Sequence, residues 1–199
     1  LVIDNALARQ PKRPSVRVHP PRTRSTGRTD RPETAIRWCR PEDRQVVLSF
    51  LAETGFFRPD EVDIAREVID EALAEGPEGH YQSFVARANE ETVGWICFGP
   101  TPCTFGTFDI YWIGVSPTWQ GRGVGRILTA FAEQAIAGRG GRLLVVETSG
   151  RQGYAPTRRF YEALGYREVA NVPDFYGPGD SRVIFTKTVP GSSGANSAD

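Results

Sequence analysis

The chain predicts a mixed α/β domain, a single sheet that starts antiparallel and finishes with crossover connections, carrying helices on both faces. Three observations predict it. Two β-like runs, 83–88 and 92–98, meet across Asn89-Glu90-Glu91 as a hairpin. Helix and strand patterns then alternate through the second half, as β-α-β crossovers require. The run Leu143-Leu144-Val145-Val146 has no polar alternation, so its strand is covered on both faces.

The elements follow in order. Residues 35–39 form a short first strand. Pro41 then opens a helix, with Glu42 and Asp43 in the first turn and Val46, Val47, Phe50 and Leu51 as its apolar stripe. A second helix starts near Pro59, steps by three and four through Val62, Ala65, Val68, Ile69, Ala72 and Leu73, and stops at Gly76. After the hairpin, 107–115 is the fourth strand. Residues 123–137 make a helix with Ile127, Leu128, Phe131 and Ile136 on one side, and 142–148 is the buried strand. Residues 155–164 form the last helix, closed by Gly165, and the strands 166–170 and 182–188 complete a sheet of about six or seven strands. On strict alternation Asp109, Tyr111 and Ile113 share one face of the fourth strand, and Ile110 and Trp112 the other. The segment 173–180 reads as a polar and aromatic loop.

The 199 residues suit one domain, and 39% hydrophobic residues suffice for a conventional core. Residues 1–34 carry 8 Lys/Arg against 3 acids and five Pro, and are expected to be a disordered basic arm. Residues 190–199 are expected to be a polar disordered tail, which leaves 35–189 as the domain. Within it, 35–98 holds 6 basic residues against 13 acids and 99–189 holds 10 against 7. That contrast suits an anionic ligand meeting a cationic or amine one.

Inventory excludes several chemistries. No Gly-Lys-Ser/Thr exists for a Walker A loop and no G-x-S-x-G for a nucleophile elbow. A triad would rest on His80, in a Gly/Pro-rich loop. Cys39, Cys97 and Cys103 form no close pair, which speaks against a disulfide framework or zinc site and for a reducing, cytoplasmic compartment. No apolar run reaches the ~20 residues of a membrane span. The basic arm has no aromatic interleaving to support nucleic-acid binding.

The richest segment is Gln120-Gly121-Arg122-Gly123-Val124-Gly125-Arg126, a glycine-rich turn between strand and helix. Glycines let the backbone approach a ligand, and the free N–H groups and dipole of the helix start favour phosphate. Arg122 and Arg126 add donors. A dinucleotide-binding G-x-G-x-x-G fits worse, because Arg126 stands where the last glycine belongs. A tight turn with glycines for packing alone is the other reading.

This loop resembles the Q/R-x-x-G-x-G/A acyl-CoA pyrophosphate loop of the GNAT N-acetyltransferase superfamily. The segment Thr157-Arg-Arg-Phe160-Tyr161-Glu-Ala-Leu-Gly165-Tyr166 resembles the family's A-x-x-F/L-Y-x-x-x-G-F/Y helix. The likeness covers roughly 35–189 and points to a bacterial branch. It implies the GNAT fold, with a mostly antiparallel sheet whose fourth and fifth strands splay apart. It implies acetyl-CoA as cosubstrate, no metal, and an amine acceptor, with a small molecule or amino-acid derivative favoured; the protein would be a monomer or homodimer. Ile113, Gly114 and Val115 would hold pantetheine and acetyl through their main chain, and residues 120–126 the pyrophosphate. Tyr154 stands where the family has a pantetheine-binding Asn, and with Arg158 completes the cofactor set. Thr157 replaces a small residue.

Tyr161 matches the family tyrosine that reaches the CoA sulfur, so it would be the general acid; a packing tyrosine is the alternative. Asp109 would be the base, with Glu147 as rival. Phe56, Tyr111, Phe175 and Tyr176 would shape the acceptor site, with Phe57 and Trp112 as further walls. A non-catalytic acyl-CoA sensor is the competing function.

Overall fold

The computed structural model describes residues 34–189. The arm and tail expected from the sequence therefore lie outside the described residues, Thr34 excepted. Seven strands form one sheet: β1 (Ala35–Trp38), β2 (Gln82–Ala88), β3 (Glu91–Pro100), β4 (Thr107–Val115), β5 (Leu143–Ser149), β6 (Arg167–Gly177) and β7 (Asp180–Thr188). Their spatial order is β1-β2-β3-β4-β5-β7-β6, antiparallel at every junction except β4–β5. The helices are α1 (Pro41–Glu53), α2 (Pro59–Glu75), α3 (Val124–Gly138) and α4 (Ala155–Ala163).

Two cores lie on opposite faces. Val47, Leu48, Phe50 and Leu51 of α1 and Ala65, Val68 and Ile69 of α2 pack on Val85, Trp95, Cys97, Tyr111 and Trp112. Leu128, Ala132 and Ile136 of α3 and Tyr161 of α4 pack on Ile96, Phe98, Ile110, Val146 and Phe185. Two glycines bring the layers close. A Cβ on Gly114 would sit 2.5 Å from Leu51 Cδ2, and one on Gly94 would sit 2.9 Å from Leu128 Cδ1 and Val124 Cγ1.

Pro41 and Pro59 start their helices as expected, and the preceding N–H groups are capped from the first turn: Arg40 N–H donates to Asp43 and Arg58 N–H to Glu61. Asp43 also accepts two bonds from Arg37, at 2.5 and 2.9 Å, and one from the Thr92 hydroxyl at 2.6 Å. One buried carboxylate thus ties β1, α1 and β3 together. The β2–β3 turn places Asn89 and Glu90 at positive φ, as a two-residue hairpin of this hand requires.

Three expectations need correction. The β3–β4 register passes from Cys97↔Trp112 to Phe98↔Ile110, which leaves Tyr111 as an extra residue. This bulge resets the alternation: Tyr111 and Trp112 both join the α1–α2 core, while Ile113 joins Ile110 on the α3 side. Residues 173–180 are not a loop, because β6 runs to Gly177 and pairs with Asp180 across Pro178-Gly179. Helix α3 begins one residue late, with Gly123 as its N-cap at φ 89°.

Candidate active site

Strands β4 and β5 pair only from Thr107↔Leu143 to Asp109↔Val145. Beyond that point β4 stays with β3 as far as Val115↔Gly94, and β5 stays with β7 as far as Ser149↔Arg182. The bulge at Tyr111 bends β4 just where the two part. The fork leaves one backbone edge of each strand without a strand partner. It opens into a cleft of about 480 Å³, within the range of small-molecule sites. Residues 110–115 of β4 and 146–148 of β5 form its walls; Phe160 and Tyr161 of α4, the start of α3, and Thr54, Phe56 and Phe57 close it.

The glycine-rich turn lies at one end of this cleft. A 3₁₀ turn over Pro117–Trp119 leads into Gly121 at φ 72° and Gly123 at φ 89°. Both backbones are left-handed, where residues bearing a Cβ are strained. At Gly125, by contrast, a Cβ would make only an ordinary contact with the Phe160 ring, at 3.4 Å. Ile127 N–H makes a helical bond back to Gly123, and Gly123 has no side chain to cap the N–H groups of Val124, Gly125 and Arg126. They form a donor set at the positive end of the helix. Gln120 Nε2 donates to Val115 O at 3.3 Å and holds the turn on the end of β4.

Tyr161 is 3% exposed and lines the cleft. Burial alone pushes its phenol above the ordinary tyrosine value, so the hydroxyl stays protonated. Tyr154 also lines the cleft, but its hydroxyl donates to Phe56 O at 2.9 Å and its ring meets the Phe56 ring edge-on. It ties the start of α4 to the α1–α2 connection. Ile113, Gly114, Val115, Gln120, Gly121, Gly123, Val124, Gly125 and Arg126 line the cleft, as do Glu147, Phe56 and Tyr111.

Five expected site residues stand elsewhere. Arg122 is exposed, with its guanidinium 5.2 Å from the Trp119 ring centroid. Arg158 donates to the carbonyls of Ser149 and Arg151, which joins β5 to the turn before α4. Asp109 sits at the vertex of the fork, outside the lining, and accepts from Thr101 Oγ1 at 2.6 Å. Burial raises its carboxyl above the usual value, against the Thr101 bond and the charges of His80 and Arg182. Phe175 lies under the Arg182 guanidinium at 4.7 Å, and that Arg182 is ion-paired with Glu147. Tyr176 adjoins Phe175, and burial pushes its phenol up to about 12.

Trp119, Val146, Thr148, Pro156 and Phe160 also line the cleft, though they are not among the site residues expected from the sequence. Val146 and Thr148 flank Glu147 at the end of a parallel-paired strand, where α/β sheets place ligands, and that signal was available. Among the described residues no group of three or more His, Cys, Asp or Glu could hold a metal ion, and no helix is long and apolar enough to cross a membrane.

Residues 79–168 match the family model for the acetyltransferase (GNAT) domain. A solved structure of the GNAT family from Desulfovibrio desulfuricans is 42% identical, with a TM-score of 0.76 over 79% of this chain and 99% of that one. The chain belongs to the GNAT acetyltransferase family. Two more distant structures share the GNAT fold. One is the Escherichia coli ribosomal-protein-S18-alanine N-acetyltransferase, 18% identical, with a TM-score of 0.63 over 84% of this chain and 100% of that one. The other is yncA of Salmonella typhimurium, solved with acetyl-CoA, 17% identical, with a TM-score of 0.64 over 83% and 99%. No curated protein matches the chain. Tyr161 and the glycine-rich turn, both singled out from the sequence, border the same forked cleft, while the Tyr154 hydroxyl is engaged by Phe56 O.

Proposed function

We propose that the protein moves an acetyl group from acetyl-CoA to a primary amine, by direct attack within a ternary complex, with a small molecule or amino-acid derivative as acceptor. The forked cleft carries this reading. It joins a bare helix N-terminus, suited to a pyrophosphate, to a buried tyrosine hydroxyl through an unpaired strand edge. The Salmonella structure, which holds acetyl-CoA, supports the cosubstrate. Bound there, acetyl-CoA supplies the thioester that reacts.

The chain's own groups divide the remaining work. The N–H groups of 124–126 bind the diphosphate, with Arg126 beside them. The free edge of β4 at Ile113, Gly114 and Val115 bonds the pantetheine amides and polarises the thioester carbonyl. The Tyr161 hydroxyl holds a proton for the departing sulfur. Phe56, Phe57, Tyr111 and Trp112 wall the acceptor side, and Glu147 lines it with its carboxylate held by Arg182. Asp109, behind the fork vertex, contributes through its charge. Among the described residues no cysteine lines the cleft, in keeping with direct attack by the amine.

The test is release of free CoA thiol from acetyl-CoA by the full chain, across amino-acid amides, arylalkylamines and polyamines. Turnover of at least one amine is expected. Binding of acetyl-CoA with no turnover of any amine would favour an acyl-CoA sensor instead.

A further inference from the structure

His80 lies between α2 and β2, outside the cleft lining and half-buried. Its Nε2 is 2.8 Å from the hydroxyl of Tyr111, and Tyr111 is one of the residues that line the cleft. The contact is held from several sides. The backbone N–H of His80 donates to Glu75 Oε2 at 3.0 Å, and the Tyr81 ring meets the imidazole edge-on at 4.9 Å. Gly99 of β3 makes room for the pair, since a Cβ there would sit 2.5 Å from His80 O and 3.0 Å from Tyr111 Cε2. The bulge in β4 puts Tyr111 on this face.

The charged groups facing the imidazole are Glu75 from α2 and Asp109 from β4. Burial lowers the ring's pKa below its ordinary value, and the two carboxylates oppose this without reversing it. The ring is therefore neutral near neutral pH. Burial, with the Asp109 charge, keeps the Tyr111 phenol protonated. The pair thus has a defined polarity: the hydroxyl donates and Nε2 accepts, with the ring proton on Nδ1.

Resting on the acetyl-transfer reading, we infer that His80 is a positioning residue: it orients the Tyr111 hydroxyl in the acceptor wall and, through it, takes up the proton that the acceptor ammonium gives up before attack. The ammonium N–H bond breaks as the Tyr111 oxygen gains that proton. The Tyr111 O–H bond breaks as Nε2 gains the next. The phenol ends neutral, the amine is free to attack, and the imidazolium returns a proton to water on its outer side.

The experiment measures kcat against pH at saturating acetyl-CoA, with phenethylamine as probe and the wider amine panel behind it. It compares the parent, His80→Gln, Tyr111→Phe and the double variant, and calorimetric acetyl-CoA binding checks that each is folded. In the parent, kcat reaches a plateau above a limb lying below about pH 6.5. In His80→Gln it is lower and climbs about tenfold per pH unit toward the pKa of the amine, because only free amine then reacts. Tyr111→Phe behaves the same way, and the double variant is no worse than either single one. A loss by one constant factor at every pH, or additive losses, would overturn the inference and leave acetyl transfer standing. Absence of turnover of every panel amine by the parent would overturn the acetyl-transfer reading itself.

Discussion

Replacing Tyr161 by Phe removes one hydroxyl from a ring that otherwise only packs, against Tyr166 at 5.5 Å and Phe185 at 6.0 Å. The fold and the phosphate turn should be untouched. Tyr161→Phe is expected to lower kcat by about 10²–10⁴-fold, the usual worth of a positioned acid, while calorimetry shows unchanged acetyl-CoA affinity. An unchanged kcat would make Tyr161 a packing residue. The position of Tyr161 was legible because its motif is local: Phe160, Tyr161 and Gly165 lie within six residues of one another. His80 was not legible, because its meaning depends on Tyr111, a residue 31 positions away brought beside it by pairing of β2, β3 and β4. Arg158 shows the opposite error. It belongs to the motif helix, yet its guanidinium serves two carbonyls.

At the scale of elements, the close approach of α1 to β4 is set by Gly114. A Cβ there would collide with Leu51 Cδ2, and Leu51 is fully buried and has nowhere to go. Gly114→Ala should therefore destabilise the protein by about 1–3 kcal/mol, read as a lower urea midpoint at unchanged m-value. Because Gly114 also lines the cleft, weaker acetyl-CoA binding should accompany it; a variant as stable as the parent would show that α1 can retreat. The elements themselves were largely legible from periodicity, Pro starts and Gly stops. The face assignment of β4 was not, because a bulge leaves no mark in a run such as Asp109-Ile-Tyr-Trp-Ile113, where every residue after the first is apolar or aromatic. The extent of β6 was hidden for a related reason: Pro173 and Gly177 suggest a loop, but an edge strand tolerates both.

Over the whole molecule, Asp43 is the clearest link between pH and stability. Burial alone would raise its carboxyl, but bonds from Arg37, Thr92 and the Arg40 N–H outweigh that and hold it below the usual carboxylate value. A depressed native pKa stabilises the fold above the unfolded value, near 4, and that contribution is lost as pH falls through the native value. Asp43→Asn should thus cost about 2 kcal/mol at pH 7. Urea midpoints of the variant and parent should converge as pH falls from the usual carboxylate value through the depressed native one. A gap independent of pH would mean that shape rather than charge holds β1, α1 and β3 together.

The central claim is that the glycine-rich turn at the mouth of the forked cleft binds acyl-CoA, and calorimetry with acetyl-CoA and free CoA tests it most directly. Gly123→Glu is the control, because it places a side chain and a negative charge at the left-handed N-cap of α3. The account predicts micromolar binding of both ligands by the parent, lost in the variant while its thermal melt shows it folded. No binding by the parent would contradict the claim and return the turn to a packing feature.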